Sequence, residues 1–241
     1  MTKVPDFIFP ETVMFHLYGD SGPGSERERR MVVPLLLAKG RTVSRLELAD
    51  WMGDDGTADD LDEHLAAFRR RLAGMGLRQA LLMRDQVCRL TIAPDLVDAH
   101  RLSAQVAETG QLDDHTAAER LRAALDLCAG EPLAGLTGHR IDRCRRELRE
   151  ARLDAEIALM RVEFRLGRAE QHVPGLVRLS RERLADTEVV GLAVSALHRT
   201  GRQAEAAALY DRHREHLIEL GMPVPERIPD PRGRGSRAES R

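Results

Sequence analysis

The sequence predicts a mostly α-helical protein in two parts: three helices closed by a β-hairpin, then helical hairpins alone. Three observations carry this expectation. Aromatic residues make up only 3% of a chain that is 42% hydrophobic, so its core is Leu, Ala and Val, a composition that favours helix over strand. Apolar stripes at helical spacing recur between Met31 and Leu166. Finally, Arg165-Leu166-Gly167-Arg168 is echoed by Arg199-Thr200-Gly201-Arg202 at an offset of 34 residues, the tetratricopeptide period. A length of 241 residues allows one or two domains with a proper core.

The elements follow in order. Residues 1–12 hold Pro5 and Pro10 and read as an irregular lead-in. Val13 to Tyr18 is a short apolar run with strand character, and Gly19 to Gly24 is turn chemistry. Ser25 caps a first helix, with Glu26 and Glu28 in its first turn and Met31, Val32, Leu35 and Leu36 on one face. Pro34 inside that run is tolerable only near the first turn or with a kink. Gly40 stops the helix. Thr42-Val43-Ser44 opens a new unit, in which Ser44 and Glu47 form a capping box. After Gly53-Asp54-Asp55-Gly56, Thr57 caps a third helix that carries Leu61, Leu65, Phe68 and Leu72 on one stripe. Ala80 to Met83 and Val87 to Ile92 read as two strands around Arg84-Asp85-Gln86.

From Asp98 onward only helices are expected: 98–108, 114–128, 141–166, 169–184, 188–199 and 202–220. The 141–166 helix has two apolar stripes, so it is buried on two sides as in stacked hairpins. Gly167 and Gly201 fall at hairpin turns, where a left-handed residue is needed. The tail from Pro223 carries four prolines and is expected to be disordered beyond about Ile228.

Helix, turn, helix, turn, helix and hairpin is the order of a winged helix-turn-helix. In that motif the second helix of the pair enters the major groove and the hairpin wing touches the backbone or minor groove. The expected architecture is therefore an N-terminal winged helix-turn-helix (13–95) followed by a tetratricopeptide-like all-α helical domain (96–228), with a tail at 229–241.

Several stretches carry a family resemblance. Leu35-Leu36-Leu37 with Gly40-Arg41-Thr42-Val43-Ser44-Arg45-Leu46, then Trp51, then His64, Leu65, Phe68, Arg69 and Leu72, resemble the winged half of the SARP-type regulators. Those proteins join an OmpR-like winged helix to a bacterial transcriptional activator domain. The second half is closer. Gly130-Glu131-Pro132-Leu133-Ala134-Gly135-Leu136 is similar to the family's "G-x-P-L-a-G-L". Gly201-Arg202-Gln203-Ala204-Glu205-Ala206 and Leu217 to Pro225 are similar to its closing motifs. The resemblance runs from about 13 to 228. It implies a transcriptional activator of a bacterial secondary-metabolite gene cluster. The winged half would read direct repeats in promoter DNA with helix 57–73 and the 80–92 wing. The helical half would contact RNA polymerase or a sister subunit, and a homodimer is compatible with this scheme.

The winged half also departs from the family. The family's small N-terminal sheet is reduced to Val13–Tyr18. The wing has Asp85-Gln86-Val87-Cys88 where the family has a glycine-rich tip and a Tyr. Four of the five residues from Asp59 to Glu63 are acidic where neutral hydrogen-bonding residues are usual. Carboxylates can accept from cytosine amino groups but repel phosphates. Residues 1–100 hold thirteen basic and sixteen acidic residues, a net charge of −3. Two readings of the helix follow. In one, Arg45, Arg69, Arg70, Arg84 and Arg89 grip phosphates, while Thr57 and His64 belong to the same DNA-binding face. In the other, Asp59 to Glu63 are a solvated first turn favoured by the helix dipole, and the chain is a SARP-like adaptor that has lost DNA binding and works through its helical domain. Asp59→Asn with Asp62→Gln separates them, because it tightens non-specific DNA binding only if the helix faces DNA.

Catalysis is not signalled, and the reading is of a non-enzyme. Gly19-Asp20-Ser21-Gly22 resembles a serine-protease loop, but that chemistry needs a His and Asp held by a β-barrel. Cys128, His139 and Cys144 lack paired metal-ligand spacing. No phosphate-cradling glycine loop occurs. His172, His198, His213 and His216 read as exposed or half-buried residues without convergent carboxylates. No metal or cofactor is expected. Three cysteines, an odd number at no regular spacing, point to a reducing interior. The longest apolar run, Met31 to Ala38, is too short to span a bilayer. The expected location is cytoplasmic.

Overall fold

A computed structural model describes residues 15–19, 24–53 and 58–225, with the backbone alone at Ala58 and Asp59. The lead-in, Asp20 to Pro23, Thr57 and the tail lie outside the described residues. The chain divides into two compact units, Met1–Gln105 with Ala123–Leu153, and Val106–Arg122 with Asp154–Arg241.

The first unit begins with α1 (Glu26–Leu37). Ser25 caps it, its hydroxyl accepting from the Glu28 amide at 3.1 Å. Met31, Val33, Leu35 and Leu36 are buried on this helix. Pro34 is not near the first turn. It is the ninth of the helix's twelve residues, and its ring removes a donor that the turn before it would have used. Burial on both sides of the proline offsets that loss, and the Ala38 amide still donates to the Pro34 carbonyl at 2.9 Å.

Next come β1 (Thr42–Ser44), α2 (Arg45–Met52) and α3 (Ala58–Gly74). The Ser44 hydroxyl accepts from the Glu47 amide at 3.0 Å, as the capping box predicts. Leu61, Leu65, Phe68 and Leu72 are all buried along α3. The hairpin is β2 (Leu81–Arg84) and β3 (Val87–Leu90). Arg84 is thus the last residue of a strand, and the tip is Asp85-Gln86 alone, with Asp85 left-handed at φ 47°. The sheet has three strands in the order β1-β3-β2, all antiparallel. Val43, Cys88, Leu81 and Leu90 form its buried face.

Val13 to Tyr18 does not form a strand within its described part. Phe15 and Tyr18 make only single bridges, to Val97 and Pro132. What holds residues 15–19 is the side chain of Asp98, which is fully buried. Its carboxylate accepts from the amides of Leu17 (2.9 Å), Tyr18 (3.0 Å) and Ala99 (2.6 Å). From the other side, the Leu133 amide donates to the Leu17 carbonyl at 2.8 Å, and the Gly19 amide donates to the Glu131 carbonyl at 2.8 Å. The Tyr18 hydroxyl donates to the Leu148 carbonyl at 2.6 Å. Gly130 must be glycine here, because a Cβ on it would lie 2.6 Å from the Gly19 Cα. Arg145 fixes the same loop by donating to the carbonyls of Pro132, Leu133 and Leu136. The Gly130–Leu136 motif is therefore a backbone clasp around the segment 15–19.

The helices α4 (Asp98–Glu108), α5 (Asp114–Leu127) and α6 (His139–Arg165) are each divided between the units. In the second unit Ala117, Ala118 and Leu121 of α5 pack with Ala158 and Val162 of α6. Helices α7 (Val173–Glu182), α8 (Thr187–Arg199) and α9 (Gln203–Glu219) follow as consecutive packed neighbours. Helix α8 is buried nearly all round, as its run of Val, Leu and Ala dictates. The 34-residue echo has a geometric cause. At Gly167 (φ 79°) the Arg168 amide donates to Glu163 and the Gly167 amide to Phe164. At Gly201 (φ 75°) Arg202 donates to Leu197 and Gly201 to His198 in the same pattern. Both are Schellman caps, which need a left-handed residue at that one place. His213, read as surface-lying, is buried instead. Its Nδ1 donates to the Leu184 carbonyl at 2.6 Å, so it closes the turn before α8 from within.

Candidate nucleic-acid interface

Helix α3 buries its leucine stripe, so its other face is open. Asp62 and Arg69 share one strip of that face, and Glu63 and Arg70 share the next, since residues seven apart nearly superpose on a helix. The face is bipolar, with carboxylates in the first half and arginines in the second. All four of these side chains are exposed.

The acidic turn is partly tied down from within. Asp62 Oδ1 receives the Arg45 guanidinium at 2.6 Å, from the first residue of α2. Asp60 lies 3.9 Å from Arg27 of α1. These pairs join α3 to the two helices before it. Each is solvent-exposed enough to contribute only about 0–1 kcal/mol. Their larger effect is on charge, because Arg45 meets any incoming phosphate already partnered. Behind Arg69 and Arg70, Arg71 turns inward to pair with Glu28, a carboxylate only 5% exposed.

The sheet supplies a second basic surface. The register pairs Arg84 with Val87, and Arg89 with both Leu82 and Thr42. Arg84, Arg89, Thr42 and Ser44 therefore project from one face of the sheet, and all four are exposed. Leu82 and Val87 share that face, 50% and 38% exposed. The Arg45 amide donates to the Gln86 carbonyl at 2.8 Å, which fixes the hairpin tip against the start of α2.

Of the residues singled out from sequence, Arg84 and Arg89 share the open sheet face, and Arg69 and Arg70 share the second half of α3. Arg45 sits between α2 and α3 on Asp62, and His64 is half-buried on α3. Thr42 and Ser44 were not foreseen as face residues, because three residues alone do not show strand alternation.

Other chemistry finds little support. Among the described residues no group of three or more His, Cys, Asp or Glu is placed to hold a metal ion, and no helix is long and apolar enough to cross a membrane. Cys88, Cys128 and Cys144 are buried free thiols. Burial pushes the Cys128 thiol up to about 12, helped by the Asp98 carboxylate, which disfavours the thiolate that nucleophilic chemistry needs.

Residues 95–228 match the bacterial transcriptional activator domain. The chain is 32% identical over 216 residues to the regulatory protein AfsR of Streptomyces griseus, covering 84% of this chain and 22% of that protein. It is 33% identical over 126 residues to the regulatory protein DnrI of Streptomyces peucetius, covering 52% of this chain and 46% of that protein. It thus spans less than half the length of either relative. In fold it is similar to Mycobacterium tuberculosis EmbR, solved in complex with a low affinity phosphopeptide. The TM-score is 0.74 at 23% identity, over 89% of this chain and 62% of that one. With more than half its length matched, the chain belongs to the bacterial transcriptional activator domain family.

Proposed function

We propose that this chain is a DNA-binding transcriptional regulator, an activator of a bacterial secondary-metabolite gene cluster, with residues 13–95 acting as a winged helix-turn-helix. Helix α3 enters the major groove of promoter repeats. The β2–β3 hairpin is the wing, and the helical second half is a tetratricopeptide-like surface for RNA polymerase or a sister subunit. One observation carries the reading: of the six exposed arginines among the described residues of this region, four fall on the two elements that a winged helix turns toward DNA, Arg69 and Arg70 on α3 and Arg84 and Arg89 on the sheet, while Arg41 and Arg78 lie in connecting segments. The naming of AfsR and DnrI as regulatory proteins supports it.

Phosphate contacts by these four arginines supply affinity, and Thr57 and His64 contribute to DNA binding. The test is binding of the full chain to a library of fragments from its own genome at about 50 and 200 mM salt, a range over which phosphate-driven binding falls steeply. Enrichment of fragments holding direct repeats, lost at the higher salt, is the expected result. No enrichment at low salt by folded protein refutes DNA binding by the chain alone.

A second reading, a protein-interaction adaptor without DNA binding, draws on the internal pairing of Arg45 with Asp62 and on exposed Leu46, Leu82 and Val87. It predicts that the library experiment fails while a protein partner is retained.

A further inference from the structure

The open face of α3 has a crest and a flank. Each residue turns a helix by about 100°, so the buried Leu61, Leu65, Phe68 and Leu72 fall within an arc of about 60°. Glu63 and Arg70 each stand within about 10° of the direction opposite that arc, and they form the crest. Asp62 and Arg69 lie on one flank, about 70–90° from the centre of the buried stripe. The flank carboxylate is engaged, because Asp62 receives Arg45. The crest carboxylate is free. Glu63 is exposed and has no ion-pair partner among the described residues. The turn that follows it on the outer face carries only the methyls of Ala66 and Ala67, so no long side chain stands between the crest and a surface laid against it.

The inference rests on the proposed placement of α3 in the major groove. A helix with its side chains is about 10–12 Å across and fills a groove about 12 Å wide. Flank residues then meet the phosphate ridges, and crest residues meet the base edges. In a helix-turn-helix the amino-terminal residues of the inserted helix do the reading. Glu63 is the sixth of the seventeen residues of α3, while Arg70 is the thirteenth, about 10 Å further along the axis. An ionised carboxylate only accepts hydrogen bonds. In the major groove guanine offers acceptors alone, thymine offers an acceptor and a methyl, and adenine sets an acceptor beside its amino group. Cytosine presents a donor and no acceptor on its own edge. We propose that Glu63 is a specificity-determining residue of α3 and selects cytosine, its carboxylate accepting from the N4 amino group. At any other base the carboxylate loses water without gaining a full partner, and that cost makes the choice sharp.

The experiment is selection of bound sequences from a random duplex library by the full chain at about 50 mM salt, where phosphate-driven binding is strong. Parent, Glu63→Gln, Glu63→Ala and Asp62→Asn are compared. The parent should enrich a motif in which one position prefers cytosine by about tenfold or more. Glu63→Gln should change that position to adenine, which an amide reads through N6 and N7, and leave the other positions as they were. Glu63→Ala should leave that position without preference. Asp62→Asn, on the flank, should keep the cytosine. Both Glu63 variants alter an exposed side chain, and their melting temperatures should match the parent. A motif identical in the parent and both Glu63 variants overturns the assignment while DNA binding stands. So does a motif that changes at a position other than cytosine, or one in which Asp62→Asn removes the cytosine. No enriched sequence from folded parent protein overturns the assignment together with the placement of α3 on DNA.

Discussion

Asp62→Asn is the sharpest perturbation of the proposed interface. In the folded protein Asp62 holds Arg45 at 2.6 Å and presents a carboxylate on the open face of α3. The Asp62 side chain is 63% exposed and Arg45 is 20% exposed. Losing so wet a pair should lower stability by no more than about 1 kcal/mol. The amide removes one negative charge from the face and releases one guanidinium from its partner. If DNA lies against α3, Arg45 can then neutralise one more phosphate. Each additional phosphate steepens the slope of log K against log salt by about 0.9, so a fourfold rise in salt should cost the variant about 3.5-fold more affinity than the parent. At low salt, non-specific binding should tighten several-fold. Fluorescence anisotropy with a labelled random duplex, titrated between about 50 and 200 mM salt, reads both quantities. Unchanged affinity and an unchanged slope, in a variant that melts within a degree or two of the parent, would refute placement of α3 against the phosphates.

Three further outcomes concern the first unit, whose unfolding can be followed through Trp51, the chain's one tryptophan. Asp98→Ala leaves the amides of Leu17, Tyr18 and Ala99 without their acceptor. At about 1–3 kcal/mol for each orphaned buried group, urea denaturation should show a loss of about 3 kcal/mol or more. Gly130→Ala drives a methyl into the Gly19 backbone, where no side chain can rotate aside. A loss of about 1–3 kcal/mol is expected from such overpacking, and a neutral result would mean that residues 15–19 do not sit in the clasp. Burial, with Lys39 adding to it, lowers the His100 pKa below its ordinary 6.5. The unfolded chain then binds the proton more readily than the folded one, so stability is present above pH 6.5 and falls as the pH drops below it. Denaturation midpoints at stepped pH should show His100→Phe flattening this dependence below pH 6.5.

What the sequence made legible was whatever depends on near neighbours. Ser25 and Ser44 act three residues away, the α3 leucines act within two turns, and the Gly167 and Gly201 caps close over six residues. The decisive contacts of the candidate site act at long range. Arg45 and Asp62 are seventeen residues apart on different helices, so each reads as an independent charge, one for phosphate and one against it. Asp98 reads as the opening of a helix, which it is, but its main partners are about eighty residues upstream. The Val13–Tyr18 run reads as a strand because its residues are apolar. A side-chain carboxylate, which no periodicity reveals, holds its described part instead of a neighbouring strand. The burial of His213 is hidden in the sequence for a related reason. Polar type alone suggests a surface, and only the Leu184 carbonyl beside it makes burial tolerable.

The clasp around residues 15–19 also sets a timetable for synthesis. Its parts are Asp98, the Gly130–Leu136 loop and the Leu148 carbonyl. Translation at about 5–20 residues per second needs several seconds to travel from Asp98 to Leu148. Throughout that interval the nascent chain carries Leu17 and Tyr18, apolar groups destined for full burial, with no site to receive them. The helices of residues 24–92 can form early, but their amino-terminal flank stays open until the loop emerges. That interval is when a chaperone, or a slowed run of codons, would most affect how much of the protein reaches its native fold.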